Sequence, residues 1–342
     1  VYPVLDEHEH DAVRALDVRR RMRPAAESPS AFSVHGSLFL VQVAFASLSV
    51  AGRIVLRDMP PLALTAIRLV GAALVFWLLP TARSRFSVPV RDRWGIAGCA
   101  LLGIFGNQAL FLIGLRSTTA THATLLVATI PIFTLLATVL LENERVRPMA
   151  ILGITLAFSG IAYLVGTEGM ALGGETVVGD LFVVGNALVY GFYLVLVRPY
   201  VARHGSTLVV SWGFLSGALY AIPFVILAPL VVPELGSVDA VLDVPRATWL
   251  LVAYVVAVPT VFTYLTNAWA LRFASSTAVS VWIYAQPTVA ALLAWFFLDE
   301  VPTVRLVGAA ILVFAGIGLV ARGRAASPLV PSRDTSAPAK ER

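Results

Sequence analysis

Residues 119–144 read TATHATLLVATIPIFTLLATVLLENE, and residues 275–300 read SSTAVSVWIYAQPTVAALLAWFFLDE. The two stretches superpose without a gap at an offset of 156 positions, which sets Thr121 on Thr277, Pro131 on Pro287 and Glu144 on Glu300. Each is an apolar run of the length that crosses a bilayer, about 20 residues, with a proline inside it and a glutamate at its end. Apolar residues coincide by chance in any two such runs, but proline and glutamate do not. The same register carries Leu115-Arg116 onto Leu271-Arg272, and Phe158, Gly160 and Ile161 onto Phe314, Gly316 and Ile317. An internal duplication explains the whole set.

Composition points the same way. The chain is 58% hydrophobic and 13% charged, with a mean hydropathy of +0.84, whereas soluble domains carry about a quarter charged residues. Ten apolar runs follow in order, at about 34–55, 62–79, 94–115, 119–141, 148–165, 179–197, 207–231, 248–270, 276–298 and 303–321. Prolines and glycines mark their ends, as at Met59-Pro60-Pro61, Arg147-Pro148, Gly173-Gly174, Val244-Pro245 and Val301-Pro302. The fold class predicted is an all-α membrane protein of ten transmembrane helices. The expected layout is a polar tail over 1–33, a first five-helix unit over 34–165, a connecting loop over 166–178, a second unit over 179–321 and a tail over 322–342.

With both tails cytoplasmic, 19 of the 25 basic residues fall inside and 5 outside; without the tails, the loops alone divide 9 to 5. This is the positive-inside bias. It gives the net charge of +5 a topological meaning and leaves no basic patch for nucleic acid. Arginine outnumbers lysine 24 to 1, a usage that fits a GC-rich bacterial genome. The chain begins at Val1, and Met22 stands before a polar lead into the first span, so the residues ahead of Met22 read as an over-extended start. Cys99, the single cysteine, excludes an intramolecular disulfide and the cysteine-based zinc patterns. Five helices per unit is an odd number, so the second copy enters the membrane in the opposite sense. Such inverted repeats build many secondary transporters.

At this point the sequence resembles the EamA-type branch of the drug/metabolite transporter superfamily. The residues that carry the likeness are PPLALTAIR from Pro60 to Arg68, Ala128-Thr129-Ile130-Pro131, Glu142 to Glu144, Gly153 and Gly160. Their counterparts in the second unit are Gln286-Pro287, Asp299-Glu300, Gly308 and Gly316. The likeness covers about residues 34–321. It implies ten helices in two inverted halves, a central cavity, a bacterial inner-membrane location, and export of amino acids or other small amphipathic metabolites. It names neither the solute nor the coupling ion, and it sets no oligomeric state.

An ionised side chain at the centre of a bilayer costs at least about 2.5–3.5 kcal/mol, so Arg68, two turns into the second span, is expected to face protein or a water-filled cavity. It is a candidate to attract an anionic group of a solute; the alternative is a structural pairing with a helix carbonyl end. Polar and aromatic residues at helical spacing supply the other candidates: Gln42, Phe45 and Ser49; Asn186, Tyr190 and Tyr193; Thr260, Tyr264 and Asn267; Ser280, Tyr284 and Pro287. Asn107 and Gln108 add amides, and Trp212 and Trp282 add stacking surface. The cavity is expected between Gln42, Asn107, Asn186, Tyr190, Tyr264, Asn267, Tyr284 and Gln286, with Pro131 and Pro287 as hinges. Taken singly, each polar group reads better as an interhelical hydrogen bond; the collection favours a site. His122, a lone intramembrane imidazole, reads as structural. The acids Glu142, Glu144, Asp180, Asp299 and Glu300 fall at span ends, which disfavours a carboxylate proton relay. No metal-ligand or nucleophile pattern appears, and no cofactor is expected. A membrane-embedded enzyme or a channel-like facilitator remains as the alternative, the partners being a small solute and the lipid bilayer.

Overall fold

The computed structural model describes residues 31–78, 87–142, 148–164, 174–230, 232, 241–270 and 282–325. Among them there is helix and no strand, as the bilayer requires: without water, backbone N–H and C=O groups must pair within the segment. The helices are α1 (Ala31–Val55), α2 (Pro61–Leu78), α3 (Val90–Ser117), α4 (Ala120–Glu142), α5 (Pro148–Tyr163), α6 (Gly174–His204), α7 (Ser206–Leu227), α8 (Arg246–Val256, Ala257–Phe262 and Thr263–Ala270), α9 (Ala285–Leu298) and α10 (Val304–Ala325). Seven are long and apolar enough to cross a membrane: α1 to α4 and α6 to α8. The apolar segments of α5, α9 and α10 are shorter, at Pro148–Tyr163, Ala285–Leu298 and Val304–Leu319. Leu74, Leu140, Ile151, Leu181, Ile222, Phe296 and Ile311 stand exposed on these rods, as side chains facing lipid tails would.

Three helices are interrupted, and the interruptions repeat. α3 is α-helical over Val90–Ala100, π-helical over Leu101–Gly106 and α-helical again over Asn107–Ser117. α8 has the same three parts, starting at Arg246, Ala257 and Thr263. Each start in α8 lies 156 positions after its counterpart in α3. The residues before them match as well: Pro89 has φ −58°, ψ 146° and Pro245 has φ −57°, ψ 144°. α4 breaks at Ala128-Thr129 and resumes at Ile130, so Pro131 sits in the first turn of its segment, where proline costs no backbone bond. Pro287 likewise sits in the first turn of α9, after a 3₁₀ turn at Trp282–Tyr284. Both prolines therefore start helical segments, and neither kinks a continuous rod.

Helix α6 begins at Gly174, five residues before the expected sixth span, and ends at His204, where Gly205 at φ +80° turns the chain into α7. The expected loop 166–178 is thus helical from Gly174 onward. The expected ninth span, 276–298, is described only from residue 282.

The main helix contacts are α5–α10, α2–α7, α3–α6, α1–α8, α4–α6, α1–α9, α3–α7 and α2–α8. Exchanging each helix for the one five places away turns this set into itself. The α5–α10 crossing shows why small residues are needed. A Cβ at Gly316 would stand 2.5 Å from the Gly153 carbonyl oxygen, and one at Gly160 would stand 3.0 Å from the Ala309 carbonyl oxygen. Gly153 corresponds to Ala309, and Gly160 to Gly316, in the repeat register. Backbone lies against backbone here, which is how helices associate when burial from water cannot drive them.

Gly316→Ala should accordingly destabilise the fold by about 1–3 kcal/mol, the usual cost of overpacking. Gly318→Ala, on the open side of the same helix, should be neutral or slightly stabilising through helix propensity. Thermal loss of the monodisperse peak in detergent measures both; equal melting temperatures would contradict the packing described.

Candidate substrate site

Pro259 sets the geometry of the middle of α8. It has no N–H, so in an α-helix the Val255 carbonyl would lose its partner. Here the helix widens into the π turn, and the Thr260 hydroxyl donates to the Val255 oxygen at 2.9 Å. The same hydroxyl oxygen accepts from Nε of Arg68 at 3.1 Å. Arg68 is buried at 3% exposure, and Tyr264 lies close enough to interact with its charge. A guanidinium is thereby held between α2 and α8 by a hydroxyl that the π turn itself positions. Thr263 donates to the carbonyls of Pro259 and Thr260, at 2.9 and 3.1 Å.

In α3 the corresponding turn has Gly103 where α8 has Pro259. A Cβ at Gly103 would fall inside the Tyr193 ring, so glycine here admits an aromatic side chain from α6. Tyr193 lies 5.5 Å, ring to ring, from Tyr190, and both are within electrostatic reach of Tyr264. Tyr264 in turn meets Phe45 edge-on at 6.4 Å and Phe214 at 4.9 Å, with Phe76 stacked on Phe214 at 5.2 Å. Aromatic rings from α1, α2, α6, α7 and α8 thus converge beside the two π turns.

Gln108 follows the π turn of α3, and Tyr264 holds the corresponding place in α8. Gln108 is 4% exposed and Gln42 2%. Oε1 of Gln42 and both polar side-chain atoms of Gln108 have no hydrogen-bond partner among the described residues. A buried amide left unpaired costs about 1–3 kcal/mol, so these atoms are poised for a guest that can hydrogen-bond. Asn186 is used otherwise: its Nδ2 donates to the Asn107 carbonyl at 2.6 Å, tying α6 to α3. Ser49 accepts from the Thr124 hydroxyl at 3.0 Å, tying α1 to α4.

Of the residues expected at the cavity, Arg68, Tyr190 and Tyr264 lie in this region, and Gln42 is buried on α1, three residues before Phe45. Asn107 contributes a backbone carbonyl, and Gln286 is half-buried at the start of α9. The side chains of Asn267 and Tyr284, and all of Ser280, lie outside the described residues. Trp212 lies under the Arg93 guanidinium at 5.0 Å, and Trp282 donates to Nδ1 of His35 at 3.2 Å. Gln108, Tyr193 and Thr260 were noted as polar or aromatic positions but were not counted among the site residues. Pairing Gln108 with Tyr264 across the 156-residue offset would have singled it out.

Among the described residues no cluster of His, Cys, Asp and Glu could hold a metal ion. A groove of about 500 Å³ lies between α2 and α8 and is walled by Ile67, Gly71, Val75, Trp249 and Val256.

Comparison with known proteins adds the following. The EamA-like transporter family matches residues 34–166 and again residues 177–322. An uncharacterized transporter of Archaeoglobus fulgidus is 26% identical over 292 residues, 83% of this chain and 96% of that protein. A probable terminal-alkyne amino-acid exporter of Streptantibioticus cattleyicolor is 28% identical, covering 71% and 79%. An aromatic amino acid exporter of Ancylobacter novellus is 26% identical over 51% of this chain and 61% of its own. A solved crystal structure aligns with 86% of this chain and all of its own at a TM-score of 0.58 and 22% identity, a likeness of fold.

Arg68→Ala should reduce solute flux far more than it reduces folded protein in the membrane. Arg68→Lys, which keeps charge but not the fixed geometry of the guanidinium, should restore part of it. Flux falling in step with folded protein for both variants would make Arg68 a structural tie.

Proposed function

The chain belongs to the EamA-like transporter family, and from that premise we propose that it is a secondary carrier that exports small amphipathic metabolites by alternating access. Amino acids are the solute class that best fits. The observation that carries this is the pair of π turns, which set Gln108 and Tyr264 at equivalent places in the two units, Tyr264 lying beside Arg68 and the tyrosines. Unpaired amides answer the polar groups of an amino acid, the buried cation answers a carboxylate, and the ring cluster answers an apolar or aromatic side chain. Two relatives named as amino-acid exporters support the solute class.

In this reading ten helices cross the inner membrane of a bacterium with both termini cytoplasmic. They form two inverted halves, 34–165 and 179–321, around a central site. The matching three-part helices, the self-mapping pattern of contacts and the two family matches support the halves. The arginine bias supports the orientation. Pro131 and Pro287, each just past a break in its helix, are the proposed hinges.

Purified protein in liposomes should give saturable counterflow of labelled phenylalanine or another amino acid. Flux without saturation would indicate a channel, and chemical change of the solute an enzyme. Gln108→Leu should weaken solute affinity about tenfold, as loss of about 1.4 kcal/mol does, and should raise thermal stability because an unpaired buried amide disappears. Loss of stability without change in affinity would remove Gln108 from the site. For orientation, single cysteines at Glu175 and Ser87 in a Cys99→Ser background should react with an impermeant thiol reagent from outside at Glu175 only. The reverse pattern would overturn the topology.

A further inference from the structure

Two glycines lie in the π turn of α3, and they answer different neighbours. A Cβ at Gly106 would stand 2.8 Å from the Leu101 carbonyl oxygen, within the turn itself. A Cβ at Gly103 would stand 1.8 Å from Cγ of Tyr193 and 2.2 and 2.3 Å from its two Cδ atoms. Cγ is the base of the ring, so no swing at the tip relieves such a contact; the side chain would have to leave its χ1 rotamer. Gly103 is therefore a seat cut into α3 for one ring from α6. In α8 the corresponding residue is Pro259, which has a ring of its own.

The surroundings of that ring differ along the helices. From Gly103 toward the amino end of α3 come Cys99 and Ile96, and from Tyr193 toward the carboxyl end of α6 comes Val197. With Val209 of α7 they form an apolar cluster to which Tyr193 itself belongs, at 8% exposure. One turn the other way along α6 stands Tyr190, 5.5 Å from Tyr193 ring to ring. Tyr264 lies within electrostatic reach of both tyrosines and of Arg68. Among the described residues the hydroxyls of Tyr190, Tyr193 and Tyr264 have no hydrogen-bond partner, so each can still answer a guest. Of the three, Tyr193 is the ring set into a helix wall, with the cluster around Cys99 behind it.

We propose that Tyr193, seated at Gly103, sets how large a side chain the solute can carry. The inference rests on the carrier reading above and on its amino-acid class. Tyr193 is the floor of the site: the solute's side chain rests against the phenol, and the ring closes off the apolar cluster around Cys99. Because the floor is let into α3, room for a ring-sized side chain remains above it. Filling the seat would drive the phenol toward Tyr190 and Tyr264 and take that room away. Gly103 acts only through Tyr193 and is a positioning residue; Tyr193 touches the solute.

Two measurements test this, and the first needs no solute. Cys99 is the single cysteine of the chain and is buried in the cluster behind the ring. Its rate of reaction with methyl methanethiosulfonate in purified protein therefore reports whether the floor is in place. Tyr193→Ala should raise that rate about tenfold or more, since thiol reactivity follows access, and Tyr193→Phe, which keeps the ring, should not. Val197→Ala, which thins the same cluster away from the site, should raise it far less than Tyr193→Ala does. Equal rates in wild type and Tyr193→Ala, or an equal rise in Val197→Ala, would overturn the proposal. The second measurement is liposome counterflow of alanine, phenylalanine and naphthylalanine. Gly103→Ala should raise KM for phenylalanine about tenfold more than KM for alanine, the scale on which a pocket discriminates by size. Gly103→Ala/Tyr193→Ala should bring that ratio back toward the wild-type value, because the displaced ring is gone. Tyr193→Ala alone should lower KM for naphthylalanine about tenfold. Gly98→Ala, which meets open space on the same helix, should alter none of the ratios. If Gly103→Ala does not insert, the naphthylalanine result with Tyr193→Ala decides. Unchanged ratios in folded variants, or a Gly103→Ala defect that Tyr193→Ala does not relieve, would refute the proposal and leave the carrier standing. Absence of wild-type counterflow with all three solutes would refute the amino-acid reading instead, and with it the size limit, whatever the Cys99 rates show of the floor.

Discussion

A carbonyl inside a bilayer has no water to turn to, and at Val255 that rule organises the centre of the molecule. Proline at 259 takes away the N–H the carbonyl would have used, and the Thr260 hydroxyl takes its place. That hydroxyl still has a free lone pair, which accepts from Arg68, so one backbone vacancy is answered and one buried cation is anchored by the same oxygen. The π turn that results rotates the rest of α8 relative to a regular helix. Tyr264 is carried with it, onto Phe45 and Phe214. In α3 the same turn is made without proline, around Gly103 and Gly106, and the space left at Gly103 is filled by Tyr193. Two unlike sequences thus reach one backbone shape, and each shape presents a polar residue, Gln108 or Tyr264, at its end.

This equivalence limits how the molecule can vary. Backbone geometry recurs at an offset of 156, residues 89–107 against 245–263, while the side chains on and just after it differ: glutamine against tyrosine, glycine against proline, isoleucine at 104 against threonine at 260. Packing positions behave differently, since Gly160 and Gly316 recur because two backbones must touch at the α5–α10 crossing. Recurrence is thus confined to scaffolding, where backbone shape or backbone contact is set, and the side chains at the π turns are free to differ. The pattern of what repeats and what does not follows that division.

Much of this was legible in the sequence, and the gaps have identifiable causes. Apolar runs gave the rods, prolines gave their ends, and the repeated Pro131/Pro287 register revealed the duplication because those residue types are scarce in such runs. The π turns were not legible, because a shift in hydrogen-bond partner leaves no periodicity over six residues; Pro259 was the signal and lay unread. Spacing alone does not distinguish an amide facing a cavity from one tied to a carbonyl, as the Asn186 Nδ2 is tied to that of Asn107. Asp180 was misplaced for a simpler reason. Hydropathy started the sixth span at 179, which made the aspartate its second residue, whereas the helix starts at Gly174 and makes it the seventh, a turn and a half inside. The polar first turn, with Glu175 and Thr176, has low hydropathy, yet it is helical where Gly179 packs against the Gly114 carbonyl.

That correction changes what holds the amino end of α4. Asp180, at 0% exposure, is paired there with the His122 imidazole. Its neighbour Glu300 holds the same end of α4 through the backbone N–H groups of Ala120 and Thr121 and the Thr121 hydroxyl, without an imidazole. Two carboxylates therefore meet one helix end: Glu300 on the first backbone N–H groups of α4, and Asp180 on the His122 imidazole and the Thr118 hydroxyl. Both stand where the partial positive charge of a helix amino end favours an anion, so α6 and the α9–α10 turn are tied to α4 at one place.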